Sequence, residues 1–202
     1  MCQDFTVNGK LVPYAPPLGG GTMTYRQDLA EVAVGNYGYV TARDARELGI
    51  PVVEMGKLAA RGRLKRVGHG VYRVPEVPVS DRDQYAEAVL QVGPGARLVR
   101  DAVLALHGLA LVNPRRIKVG TPRRVRTALP PFVEIVHDDT SHGELTKYEG
   151  IPSTTVARAL IDSRGLVMVE RLQQGLKDAV RQGLVTPLEQ RKVRAALRTA
   201  RP

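Results

Sequence analysis

The sequence predicts an α+β fold in two structured parts behind a short tail, and three patterns carry that expectation. Apolar residues recur at helical spacing over most of residues 25–60 and again beyond residue 80. An alternating run over 64–74 is interrupted by a Gly-His-Gly tip, and short strand-like runs lie at 117–119 and 132–136. At 202 residues and 43% hydrophobic, the chain has material for one or two cores.

Residues 1–23 hold Pro13, Pro16, Pro17 and three consecutive glycines, a composition that buries little, so a flexible tail is expected there. From Tyr25 onward, Leu29, Val32 and Ala33 keep helical spacing until Gly35, Asn36 and Gly38 stop the helix. Thr41 is placed to cap a second helix with Ala42, Ala45 and Leu48 on one face, and Gly49 to end it. Pro51 suits the first turn of a third helix, whose inner face is Met55, Leu58 and Ala59 and which ends at Gly62. In the hairpin that follows, Leu64, Val67, Val71 and Val74 are expected to pack on the helices while Lys65, Arg66 and Arg73 lean outward. Gly68 and Gly70 would let its tip turn tightly.

Pro75 and Pro78 punctuate the chain, and a new unit is expected from residue 79. Ser80 and Asp83 form a capping-box pair before a helix bearing Tyr85, Ala88, Val89 and Val92. Residues 98–106 read as another helix, and the two strand-like runs come next. Ser153 and Thr154 are placed to cap a helix bearing Val156, Ala159 and Leu160. Val169, Leu172, Leu176 and Val180 form the stripe of the next, and Thr186-Pro187-Leu188-Glu189 opens the last.

The formal net charge of +10 is an argument about partners, because such a surface attracts polyanions. Nucleic acid is the first suspect and an anionic membrane the second. No run approaches the length of a membrane span, and residues 1–23 lack the basic-then-apolar order of a signal peptide. The single Cys2 has no partner for an intrachain disulfide or a thiolate metal site. A cytoplasmic protein with no membrane partner is expected.

Three short helices followed by a hairpin are the order of a winged helix-turn-helix, assigned here to residues 24–78. The third helix would enter the major groove and the wing would meet phosphates or a neighbouring minor groove. The charged residues from Arg61 to Arg73 are Arg61, Arg63, Lys65, Arg66 and Arg73, with no carboxylate among them. A basic, Gly-flanked hairpin is also what an ordinary solvated turn looks like; its place directly behind a helix-turn-helix pattern favours the DNA reading. Arg43, Lys57, Arg61, Arg63, Lys65, Arg66, His69 and Arg73 are therefore the candidate contacts with double-stranded DNA. The third helix opens on Val52-Val53-Glu54, where base-reading proteins often place Arg, Asn, Gln or Ser. Its valines suit thymine methyl groups, or equally burial against a partner.

The runs YGYVTARDARELGI, MGKLAARGRLKRVGHGVYRV and GIPSTTVARALID resemble the AbiEi-type antitoxins and transcriptional regulators of type IV toxin–antitoxin systems. The resemblance extends over roughly residues 24–200. It implies an N-terminal winged helix-turn-helix and, over 79–202, a mostly helical α+β antitoxin domain. It also implies repression of the protein's own operon through inverted repeats in promoter DNA, bound side by side or as a dimer, and action against a cognate nucleotidyltransferase toxin. Two alternatives stay open: an antitoxin that mainly sequesters its toxin, and a stand-alone winged-helix repressor.

Between residues 102 and 133 the charged residues include Arg115, Arg116, Lys118, Arg123, Arg124 and Arg126 and no Asp or Glu, a second basic patch. It would extend a DNA footprint, hold RNA or meet an acidic toxin surface, unless it is only a solvated connection. His137, Asp138, Asp139 and His142 are the one dense titratable cluster, and a polar loop between strands is the expected reading over a metal site. No phosphate-binding loop or nucleophile elbow appears, so no enzyme, cofactor or metal is expected.

Overall fold

The computed structural model describes residues 5–7, 10–12 and 24–198. The tail expected over 1–23 lies largely outside the described residues. Within it, β1 (Phe5–Val7) and β2 (Lys10–Val12) pair antiparallel, with Phe5 opposite Val12. Asn8-Gly9 between them is a strong hairpin signal that the proline and glycine content had overshadowed.

The chain divides into two compact units between Gln91 and Val92. In the first, α1 (Tyr25–Val34) starts from a capping box of Thr24 and Gln27 and buries Leu29 and Ala33. The stop after it leads into β3 (Tyr39–Thr41), a strand absent from the sequence reading. Thr41 caps α2 (Ala42–Glu47): Asp44 Oδ2 accepts from the Thr41 amide at 2.7 Å, and the Thr41 hydroxyl oxygen accepts from the Asp44 amide at 3.3 Å. Gly49 takes φ +71°, and α3 (Val52–Ala60) follows Pro51. The hairpin of β4 (Lys65–Gly68) and β5 (Val71–Arg73) then joins β3 in an antiparallel sheet ordered β3-β5-β4. Leu29, Val40, Ala45, Ile50, Met55, Leu64, Tyr72 and Val74 form the core between the helices and one face of this sheet. The unit closes with α4 (Asp83–Val92). Pro75 and Pro78 suggested a boundary at 78/79, yet α4 bonds back onto the sheet, as the next subsection describes.

The second unit holds β6 (Arg97–Leu98), α5 (Asp101–Leu106), β7 (Ile117–Thr121), β8 (Val133–His137), β9 (Leu145–Tyr148) and β10 (Ile151–Thr154). After them come α6 (Val156–Asp162), α7 (Val169–Arg181) and α8 (Pro187–Arg198). Its five-stranded mixed sheet runs β8-β7-β6-β10-β9, with β7/β8 and β6/β10 parallel and the other pairs antiparallel. The α+β class holds, with more sheet than the sequence suggested. Residues 98–106 are not one helix: Leu98 belongs to β6, and Arg100 at φ +56° breaks the chain direction before α5. Ser153 and Thr154 are buried in β10, and it is Thr155 that caps α6, its hydroxyl accepting from the Arg158 amide at 3.3 Å. Thr186 and Glu189 form the expected capping box of α8, with 2.8 Å from the Thr186 amide to Glu189. Among the described residues no helix is long and apolar enough to cross a membrane.

Candidate nucleic-acid interface

Helix α3 is amphipathic in a simple way. Met55 is fully buried and Leu58 and Ala59 pack against the core, so Val53, Gly56, Lys57 and Ala60, spaced i, i+3, i+4, i+7, share the exposed face. Lys57 Nζ donates to Glu54 Oε1 at 2.7 Å, and Arg43 Nε on α2 donates to Glu47 Oε1 at 2.7 Å. The hydrogen bond to Glu47, and then its charge, raises the Arg43 pKa above the ordinary guanidinium value. Both pairs are exposed, and such pairs exchange readily for another anion such as a phosphate.

Arg61 and Arg63 are exposed in the connection from α3 to β4. Lys65 and Arg66 are exposed on β4, the edge strand; Lys65 lies opposite Arg73 and Arg66 opposite Tyr72, so the two cations project to opposite faces of the sheet. Arg66 Nε donates to its own strand at the Gly68 carbonyl, 3.3 Å away. Among the described residues none of Arg61, Arg63, Lys65 and Arg66 is ion-paired with a carboxylate. His69 is exposed at the turn, where Gly70 takes φ +68°. The register shifts between Arg66 and Gly68, a bulge that bends the strand beside its tip.

Arg73 corrects the expectation that every cation of the hairpin leans outward. Its side chain is 13% exposed and its Nη1 donates to Asp83 Oδ2 at 2.8 Å and to the Tyr37 carbonyl at 2.9 Å. Nη2 donates to the Val77 carbonyl at 3.0 Å, and the guanidinium carbon sits 5.3 Å from the Tyr39 ring centre. A Cβ on Gly38 would lie 2.9 Å from Nη1, so the glycine makes room for the guanidinium. All of this occurs on the sheet face away from the core, which α4 covers.

Three residues of α4 at i, i+4 and i+8 make that cover polar. Asp83 takes Arg73, Glu87 Oε2 accepts from the Tyr39 hydroxyl at 2.8 Å, and Gln91 Nε2 donates to the Val67 carbonyl at 2.9 Å. Burial, and then the bond to Glu87, push the Tyr39 hydroxyl well above its ordinary pKa. Gly68 has a different use from the expected tight turn. Its φ is not positive, and a Cβ there would fall 1.8 Å from Gln91 Oε1. The hairpin is thereby held from both sides, and only its edge and tip face solvent. The signal for this arrangement was in the sequence: Asp83, Glu87 and Gln91 form a polar stripe beside the apolar one.

In the second unit Arg115, Arg116, Arg123, Arg124 and Arg126 are exposed. They flank the two ends of β7, a five-residue strand spanning about 13 Å, and so form two clusters. Lys118 within β7 turns to Asp101, its Nζ donating to Oδ2 at 3.0 Å, and is no part of an open patch. Asp138 pairs with Arg97, whose Nε donates to Oδ2 at 2.5 Å, and accepts from the Thr140 hydroxyl at 2.5 Å. Burial opposes ionisation there, but the bonds from Thr140 and Arg97 outweigh it and hold the Asp138 carboxyl below its ordinary pKa. Among the described residues no group of three His, Cys, Asp or Glu side chains is gathered as a metal site.

The first unit thus gathers, at the end of α3 and along β4, exposed cations that are in no ion pair among the described residues. Residues 27–75, from α1 to the end of the hairpin, match the model of the family described as transcriptional regulator, AbiEi antitoxin. Over those residues, about a quarter of the chain, the match bears out the resemblance of the first two sequence runs. The third run, GIPSTTVARALID, lies outside the matched residues. No curated protein matches the chain.

Proposed function

We propose that the protein is the antitoxin of a type IV toxin–antitoxin system and represses its own operon through a winged helix-turn-helix. The observation that carries this is the set Arg61, Arg63, Lys65 and Arg66, exposed directly behind the α2–α3 pair and in no ion pair among the described residues, Arg63 acting on Glu76 only at longer range. In this reading α3 enters the major groove, with Lys57 and Arg43 exchanging their carboxylates for phosphates. The β4–β5 wing lays Lys65, Arg66 and His69 along the backbone, and two molecules occupy an inverted repeat. The second unit is the antitoxin domain that opposes a nucleotidyltransferase toxin, with its arginine clusters available to acidic partners. Arg73 stands outside the DNA contacts.

The test is a gel-shift titration against the protein's own upstream region and a scrambled duplex of equal length, at low and near-physiological salt. Selective binding that survives added salt supports the repressor. Weak binding that treats both duplexes alike would refute it and move direct toxin binding to first place.

A further inference from the structure

We propose that α3 reads its operator through thymine methyl groups, with Val53 as the specificity-determining side chain. The inference rests on the reading above that α3 enters the major groove, and it names what the helix looks for there. The exposed face of α3 is Val53, Gly56, Lys57 and Ala60, and Val53 is 63% exposed. Helix α3 carries only two side chains able to hydrogen-bond, Glu54 and Lys57, and these are bonded to each other at 2.7 Å. Of the usual donors to guanine or adenine edges, Arg, Lys, Asn and Gln, it holds Lys57 alone, which the reading above gives to a phosphate. With Lys57 given to a phosphate in that reading, what remains on the outward face is Val53, Gly56 and Ala60, apolar and small. Of the groups a base pair presents in the major groove, the thymine C5 methyl is the apolar one, so it is the complement this face has.

Gly56 supports the same conclusion independently. Glycine is disfavoured in a helix interior relative to alanine, and a Cβ at Gly56 would meet nothing within 4 Å in this chain. Internal packing therefore gives no reason for it. With Ala60 one turn on, it leaves the helix surface low between Val53 and Lys57, so that the backbone can approach the base edges and seat Val53 against a methyl.

The experiment uses the full chain and its own upstream duplex. Thymines in each half-site are replaced in turn by deoxyuridine, which keeps the base pair and removes only the methyl. At contacted positions the expected loss is about fourfold in affinity per methyl, the equivalent of burying one such group. A 5-methylcytosine·guanine pair at the same step returns the methyl to the groove and is expected to bind more tightly than its unmethylated counterpart. In Val53→Ala the preference for thymine over deoxyuridine should collapse towards one, with the salt dependence unchanged. Selective binding to the upstream duplex with no thymine–deoxyuridine difference anywhere would overturn the methyl reading and leave the repressor standing. A preference that survives in Val53→Ala would overturn the role of Val53. No selective binding to the upstream duplex would overturn the proposed repressor and this inference with it.

Discussion

Replacing Arg73 with alanine separates a structural arginine from a DNA-contacting one. The guanidinium is 13% exposed and its partner Asp83 8% exposed, so the substitution leaves a carboxylate buried without its cation. Removing one partner of a buried pair costs about 3–5 kcal/mol. Asp83 keeps the bonds from the Ser80 amide at 3.0 Å and hydroxyl at 2.5 Å, which places the expected loss near the lower end. A loss of about 3 kcal/mol corresponds to a fall of roughly 12–24 °C in the melting temperature of a unit this small. Because the chain has two units, amide hydrogen exchange at β3 and β5 reads the first of them directly. Protection there should fall in Arg73→Ala and recover in part in the double variant with Asp83→Asn, which no longer buries an uncompensated charge. At temperatures where the variant remains folded, the salt slope of DNA binding should match wild type. Unchanged protection together with a shallower salt slope would refute the reasoning and return Arg73 to the DNA surface.

Alanine at Lys65 and Arg66 together should do the opposite. Both side chains are exposed, so stability should stay within about 0.5 kcal/mol, while the slope of log K against log salt should fall by about 2 if each neutralises one phosphate. Gly68→Ala should cost about 1–2 kcal/mol, because its Cβ would displace Gln91 and break the 2.9 Å bond to Val67. In Gln91→Ala the same substitution should cost much less, a non-additivity that a double-mutant cycle of unfolding free energies measures. Asp138→Asn should destabilise the second unit at neutral pH. The Asp138 carboxyl has its folded pKa depressed, so its contribution is present above the ordinary value of 3.8 and is lost as pH falls through the folded value. The gap between wild type and Asp138→Asn should accordingly close below pH 3.8, as acid titrations of stability would record.

Helices were the legible part of this sequence because their signals are local. The caps at Thr41 and Thr186 and the stop at Gly49 each involve residues within a turn or two, and all three appear where the chain alone placed them. Strands β3, β6, β9 and β10 were not legible, since each is two to four residues long and is defined by a partner distant in sequence. Leu98 illustrates the difficulty. It is wholly buried, and only Val99 and the left-handed Arg100 separate it from the apolar helix that starts at Asp101. Ser153 and Thr154 had the composition of a cap, and what put them in a strand was pairing with Thr146 and Leu145.

The candidate interface was half legible for a related reason. Composition locates cations but says nothing of which side of a sheet is wet. Alternation along a strand turns its cations to water only where that face of the sheet is solvated, which holds for Lys65 at the edge strand and fails for Arg73 one strand further in, directly opposite it. Adding α4 across the second face turns the central position into a buried one, and the chemistry changes with it. An arginine there must find a carboxylate and carbonyls, and Asp83, Tyr37 and Val77 supply them. The same cover explains why α4 falls in the first unit although two prolines precede it. A three-stranded sheet clamped through Tyr39, Arg73 and Val67 has little freedom to bend towards a ligand. In the proposed DNA complex its exposed edge is therefore presented at a preset angle, and the entropy of ordering it is met by folding rather than by binding.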